Sequence, residues 1–181
     1  MKILVCVKQV MEPESPINIH DSGKSIVRSA DTRFEMNPFD AYAVEEALLI
    51  KERITGSTID LITVGPDHGQ ETLQRALGMG ADEAIHILDN RMGYRPVSLT
   101  ASWIASYAKD KAYDLILTGI MSADEMNAQT GPMIAQLLSI PCCTATIREQ
   151  IRPDEKRVSV ERESEAGTRV FCDVSLPCVL T

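Results

Sequence analysis

The chain has 181 residues, 44% of them apolar and only 4% aromatic, with a formal net charge of −8. That length suits one domain with a core of Val, Ile, Leu, Ala and Met, and the acidic balance argues against nucleic acid as a partner, because phosphate neutralisation needs a basic face. No apolar run approaches membrane-spanning length and the start MKILVCVKQV lacks a signal-peptide pattern, so no membrane insertion is expected and the cytoplasm is the expected compartment.

In chain order, Ile3-Leu4-Val5-Cys6-Val7 is a continuous apolar run rich in β-branched residues, the mark of a strand buried on both faces of a parallel sheet. Residues 15–29 read as an excursion, with Ile17-Asn18-Ile19 and Ile26-Val27 forming a hairpin around a turn at 21–23. Asn37 suits a helix N-cap and Pro38 the first helical position, while Asp40, Glu45 and Glu46 load the N-terminal half with negative charge. Phe39, Ala43, Ala47, Ile50 and Ile54 recur at helical spacing until Gly56. A second strand follows at 59–64. Gly65-Pro66 breaks the chain before a helix carrying Leu73, Ala76 and Leu77, and a third strand follows at 84–88.

A helix over about 96–109 places Val97, Ala101, Ile104, Ala105 and Ala108 on one face. A fourth strand over 113–118 ends at Gly119, and a polar loop leads to a short helix over 132–138 and a fifth strand over 142–146. The tail alternates polar and apolar residues over 157–162 and 168–174, as an antiparallel hairpin of about 156–175 with one wet face would. The rhythm predicts an α/β fold over 1–181, an open five-stranded, mostly parallel sheet with helices on both faces plus the small C-terminal hairpin. The five cysteines are expected as thiols, and Cys142 and Cys143 should point to opposite faces of their strand.

Ligands of open parallel sheets bind beyond the carboxyl ends of the strands, where the strand order reverses. The loop after the fourth strand, 119–132, is the most unusual segment: long, rich in small polar residues, and feeding straight into a helix start. Free N–H groups and the positive helix end make a phosphate site at Gln129 to Gly131 physically reasonable; the plainer alternative is an N-cap at Thr130 under a solvated loop. No Walker A or G-x-G-x-x-G sequence is present, and His20, His68 and His86 are isolated. Asp124-Glu125 has the look of a solvated or capping pair, so neither a metal centre nor a catalytic constellation is expected.

Several ordered segments together resemble the β subunit of electron-transfer flavoproteins. They are Val7-Lys8-Gln9-Val10, Met36-Asn37-Pro38-Phe39-Asp40 with Ala43-Val44-Glu45-Glu46-Ala47, Val64-Gly65-Pro66 with Glu71-Thr72-Leu73, Gly78-Met79-Gly80-Ala81-Asp82, Asp114-Leu115-Ile116-Leu117-Thr118-Gly119, Gln129-Thr130-Gly131 and Leu176-Pro177-Cys178-Val179-Leu180-Thr181. The resemblance spans the whole chain. It implies an electron-carrier subunit rather than an enzyme, one half of a heterodimer whose α subunit carries a redox FAD and takes electrons from dehydrogenases. It also implies an adenine nucleotide held by Cys6, Asn37, Pro38, Phe39, Asp40, Val64, Gly119, Ser122, Ala123, Asp124, Asn127, Ala128, Gln129 and Thr130.

Two departures bear on that expectation. Met126 replaces an acid and Ala128 an asparagine of the AMP-binding pattern, and Ala-Gln followed by Gly-Pro is more like the bifurcating branch, whose β subunit binds a second FAD. AMP and FAD therefore both stay open. The family's continuation past the equivalent of Thr181, a partner-docking segment and an arm around the α subunit, is absent from this sequence. Two other readings compete: a free-standing stress-type nucleotide-binding module, which would want a glycine-spaced loop where Ser122 stands, and an adenylyl-transferring enzyme, whose Ser-Gly-Gly-type loop Lys8-Gln9-Val10-Met11 is not.

Overall fold

The computed structural model describes residues 1–181 except 24, 25, 28 and 92. Its elements are β1 (Lys2–Cys6), β2 (Gln9–Met11), β3 (Asn18–Ile19), β4 (Ile26–Val27), β5 (Phe34–Met36), α1 (Pro38–Arg53), β6 (Thr58–Gly65), α2 (Gln70–Met79), β7 (Glu83–Leu88), α3 (Val97–Ala108), β8 (Leu115–Leu117), α4 (Thr130–Leu138), β9 (Cys142–Cys143), β10 (Thr146–Arg152), β11 (Arg157–Glu163), β12 (Arg169–Ser175) and β13 (Cys178–Leu180). Among these no helix is long and apolar enough to cross a membrane.

The main sheet runs β7-β6-β1-β8-β13-β9, with every neighbouring pair parallel. Its α/β character is the one the alternating pattern implies, but it holds six strands where five were expected. The sixth is β13, which returns from the tail and inserts between β8 and β9. Three residues are too few to announce a strand by pattern, yet all three are buried. The last strand before the tail is correspondingly short, Cys142–Cys143, because the chain leaves the sheet there for β10.

Side chains divide by the pleat's period of two. Ile3, Val5, Leu61, Leu115, Leu117 and Leu180 pack with α1 and α2 on one side. Leu4, Cys6, Ile62, Ile116 and Val179 pack with α3 and α4 on the other. The expected hairpin of the tail is β11 with β12, and β10 extends it to three strands. A bulge between Thr146 and Arg148 interrupts the alternation of β10 and hides it from a periodicity reading. The sheet lays Val158 and Val160 over the α1 side of the core. The excursion hairpin is β3 paired with β4; Lys24 beside its expected turn lies outside the described residues.

Two features of this topology position a site. The chain leaves β1 toward β6 on one side and leaves β8 toward β9 on the other, so the neighbours β1 and β8 bracket the point where the winding reverses. Between β1 and α1, β2 pairs antiparallel with β5, which brings the start of α1 back over the end of β1.

Candidate functional site

A cleft opens at this switch point. Its floor is the end of β1 (Cys6, Val7, Lys8) and β6 (Ile62, Val64). One wall is the segment after β8 with the start of α4, and the other is α3 with the residue before its cap, Arg95. The enclosed part is about 100 Å³, well under the ~300–1,000 Å³ of a typical small-molecule site, so an occupant of that size would extend through its open mouth.

The start of α1 knits this edge together. Asn37 occupies the N-cap with Pro38 next, but its side chain caps nothing. Instead its Nδ2 donates to the carbonyl of Met121 at 2.9 Å and its Oδ1 accepts the N–H of Ala123 at 3.0 Å. Asp40, one turn on, accepts the N–H of Lys8 at 2.7 Å and that of Gly119 at 3.0 Å. One carboxyl group thus joins the ends of β1 and β8. Burial pushes it up to about 7, against the pull of the Lys8 and Gly119 N–H groups. Gly119 has to be glycine, because a Cβ would lie 2.5 Å from Asp40 Oδ1 and 2.7 Å from Phe39 Cβ.

The loop after β8 is tied down a second time by Lys8. Its ammonium reaches Ser122 Oγ at 3.3 Å, Asp124 at 2.7 Å and Glu125 at 3.4 Å. Burial works against ionisation of Asp124, yet the bonds from Lys8 and Ser122 hold its carboxyl below the usual range. Cys6 lines the floor, where burial and nearby Asp40 push its thiol far above the ordinary value; it is no ready nucleophile.

The loop then folds back through two left-handed residues, Met126 (φ 50°) and Ala128 (φ 52°). A left-handed Ala128 followed by right-handed Gln129 (φ −108°, ψ −21°) turns successive N–H groups toward one side, the concavity that suits an anion. Gln129, not Thr130, takes the N-cap, and neither it nor any side chain caps the helix. The first-turn N–H groups of a helix have no partner within it, and Pro132 contributes none. Gly131 lets this turn press on the sheet: a Cβ there would meet Thr181 Cγ2 at 2.5 Å and Thr118 Oγ1 at 2.9 Å.

Of the residues singled out from sequence, Cys6, Asn37, Asp40, Val64, Gly119, Ser122, Asn127, Ala128, Gln129 and Thr130 line this cleft. Pro38, Phe39, Ala123 and Asp124 do not. Pro38 starts the helix, Phe39 lines a neighbouring groove, and Ala123 and Asp124 fasten the loop to Asn37 and Lys8. The sequence reading missed Lys8, Met121 and the whole α3 wall, Arg95, Val97, Thr100 and Ile104. The signal for that wall was present in the helical face shared by Val97, Ala101 and Ile104.

Fold and cleft together define a class: an open, doubly wound α/β domain with an anion-suited helix start at its switch point. Residues 25–181 match the electron transfer flavoprotein domain. The whole chain aligns at 37% identity with the caffeyl-CoA reductase–Etf complex subunit CarD of Acetobacterium woodii, covering 68% of that protein. It aligns at 30% with the electron transfer flavoprotein subunit beta of Methylophilus methylotrophus, covering 69%, and at 32% with protein FixA of Azotobacter vinelandii, covering 65%. The chain belongs to the electron transfer flavoprotein family, on its β-subunit side.

Proposed function

We propose that the cleft binds an adenine nucleotide, AMP or FAD, without turning it over, and that the chain pairs with an α subunit whose own FAD exchanges electrons with a dehydrogenase. The observation that carries the nucleotide half is the left-handed to right-handed turn at Ala128 and Gln129, opening onto the start of α4 at the switch point. Gln129, Thr130 and the N–H groups around them would hold a phosphate, and Cys6, Val64 and the α3 wall would face the adenosine. Asn37, Asp40 and Gly119 fix the loop that closes one side, with Ser122, Asn127 and Ala128 along it. Pro38, Phe39, Ala123 and Asp124 support that frame from outside the cleft.

The electron-carrier half rests on the family. CarD is by name a subunit of a caffeyl-CoA reductase–Etf complex, and the other two relatives are a β subunit and FixA. FAD on the α partner would supply the redox chemistry, while this chain's residues bind and orient. The test is size-exclusion chromatography of the chain mixed with an FAD-loaded α subunit. Co-elution of both proteins with the flavin is the expected result. Separate elution, with a nucleotide still bound to this chain, would replace the subunit reading with that of a free-standing nucleotide-binding module.

A further inference from the structure

The two ends of the cleft differ in charge. At one, the single ammonium of Lys8 is shared by Asp124 and Glu125, which leaves negative charge in excess. Beyond the other, Asp89 is shared by Arg91 at 2.8 Å and Arg95 at 2.7 Å, which leaves positive charge in excess, and Arg95 is the member of that trio that lines the cleft.

Arg95 is held for this role. Asp89 hooks onto the end of β6 through its N–H to the Gly65 carbonyl at 2.9 Å. It then accepts Arg95 Nε on its carboxylate at 2.7 Å and Arg95 Nη2 on its own carbonyl at 3.2 Å. That grip uses one edge of the guanidinium; among the described residues Nη1 makes no hydrogen bond. The side chain is only 23% exposed, so much of its freedom is already lost before any ligand arrives. Arg95 also precedes Pro96, the cap of α3, and Val97 and Thr100 of the first turn line the same wall.

Helices α3 and α4 pack against one another on the same side of the sheet, and both begin at its carboxyl edge. Packed helix axes lie about 8–10 Å apart, a gap that an arginine side chain and a second phosphate together can span. A guanidinium with a free edge is well suited to a phosphate.

Resting on the nucleotide reading above, we propose that Arg95 recognises a second phosphate and makes this cleft selective for adenine nucleotides that carry a pyrophosphate over AMP. The shared chemistry is an adenosine diphosphate group, whether free as ADP or within FAD.

Calorimetric titration of the chain with AMP, ADP and FAD tests this, with Arg95→Ala, Arg95→Lys and Arg91→Ala beside the parent and melting curves to confirm folding. The parent should prefer ADP or FAD to AMP. Arg95→Ala should cut that preference about tenfold or more, the size of one charged hydrogen bond, and Arg95→Lys should restore part of it. Arg91→Ala, which shares Asp89 but does not line the cleft, should keep the preference within about twofold. Preference for FAD without ADP would assign the flavin as a further determinant and still support Arg95 if Arg95→Ala abolishes it. A parent that binds AMP as well as ADP and FAD, or a preference that survives Arg95→Ala, overturns the inference while leaving the nucleotide reading in place. A folded parent that binds none of the three overturns both.

Discussion

Two buried carboxyl groups in this fold are held in opposite ways. Asp40, 6% exposed, is held by backbone, the N–H groups of Lys8 and Gly119. Glu149 on β10, 7% exposed, is held by a side chain, Arg53 of α1, and its Oε2 has no hydrogen-bond partner among the described residues. Burial pushes both up to about 7, with Glu46 adding to the effect at Glu149. The difference lies in what each fixes. Backbone donors cannot swing away, so Asp40 defines where the ends of β1 and β8 meet and how the loop leaves. Arg53 is half exposed and also reaches Glu46 at 2.9 Å, so Glu149 joins two layers through a contact that can rearrange. The first arrangement builds a site; the second docks a sheet onto a core.

The sharpest way to break this comparison is to crowd the Asp40 side. Gly119→Ala puts a methyl 2.5 Å from Asp40 Oδ1 and 2.8 Å from the Phe39 carbonyl carbon. Neither is the loose end of a flexible chain, so stability should fall by about 3 kcal/mol, read as a lower urea midpoint, with nucleotide affinity falling alongside. A variant as stable as the parent would show that the β1–β8 junction yields easily.

At the helix start fed by that junction, Thr130→Ala should weaken nucleotide binding by about 1.5–3 kcal/mol, one hydrogen bond to a charged group, while leaving the melting temperature nearly unchanged because Thr130 caps nothing. Unchanged affinity by calorimetry would confine Thr130 to the helix.

Both carboxyl groups shape the response to pH. Their folded values lie above the ordinary ones, 3.8 for Asp and 4.5 for Glu, so the folded chain holds protons that the unfolded chain has released. The contribution of these two groups to stability is therefore most favourable below about pH 4, declines as pH rises toward 7, and levels above it. It is opposite in sign to that of Asp82, Asp89, Asp124 and Asp173, whose lowered values cost stability in acid. Asp40 and Glu149 each contribute a slope of at most about 1.4 kcal/mol per pH unit. Asp40→Asn and Glu149→Gln should each flatten the dependence between pH 4.5 and 7, as followed by urea titration at several pH values. A slope unaffected by either change would mean that both groups are ionised through that window.

The smallest effect belongs to the docking contact. Arg53→Ala removes a half-exposed arginine and leaves Glu149 to stay protonated at neutral pH, so the loss should be about 1 kcal/mol or less by thermal melting, with no change in nucleotide affinity. A large loss of affinity would couple the antiparallel sheet to the cleft and dissolve the distinction.

The same contrast explains what could be read from sequence. The strands of the parallel sheet were legible because Ile3 to Val7 reads as an unbroken apolar run and Ile59 to Val64 as one rich in β-branched residues, interrupted only by Asp60 and Thr63, both of which are buried. Asn37 and Pro38 marked the start of α1, but not that the Asn37 amide would turn away from its own helix to hold Met121 and Ala123. A capping preference is local, whereas that bond spans 84 residues. The α4 start was placed by its glycine and proline, while the left-handed turns at Met126 and Ala128 carry no glycine to announce them. The apolar face of α3 was visible, but its use as a cleft wall, like the insertion of β13 between β8 and β9, was not, because both depend on which strands become neighbours, and strand order is not written in any one segment.

The central claim is that the β1–β8 switch point holds an adenine nucleotide. Denaturing the purified chain and identifying what it releases, by chromatography with detection at adenine and flavin wavelengths, tests it most directly. The account predicts one adenine nucleotide, AMP or FAD, in proportion to protein, and its loss from a Gly119→Ala preparation. Protein that is folded, releases no nucleotide and takes up none when AMP, ADP or FAD is supplied would contradict it.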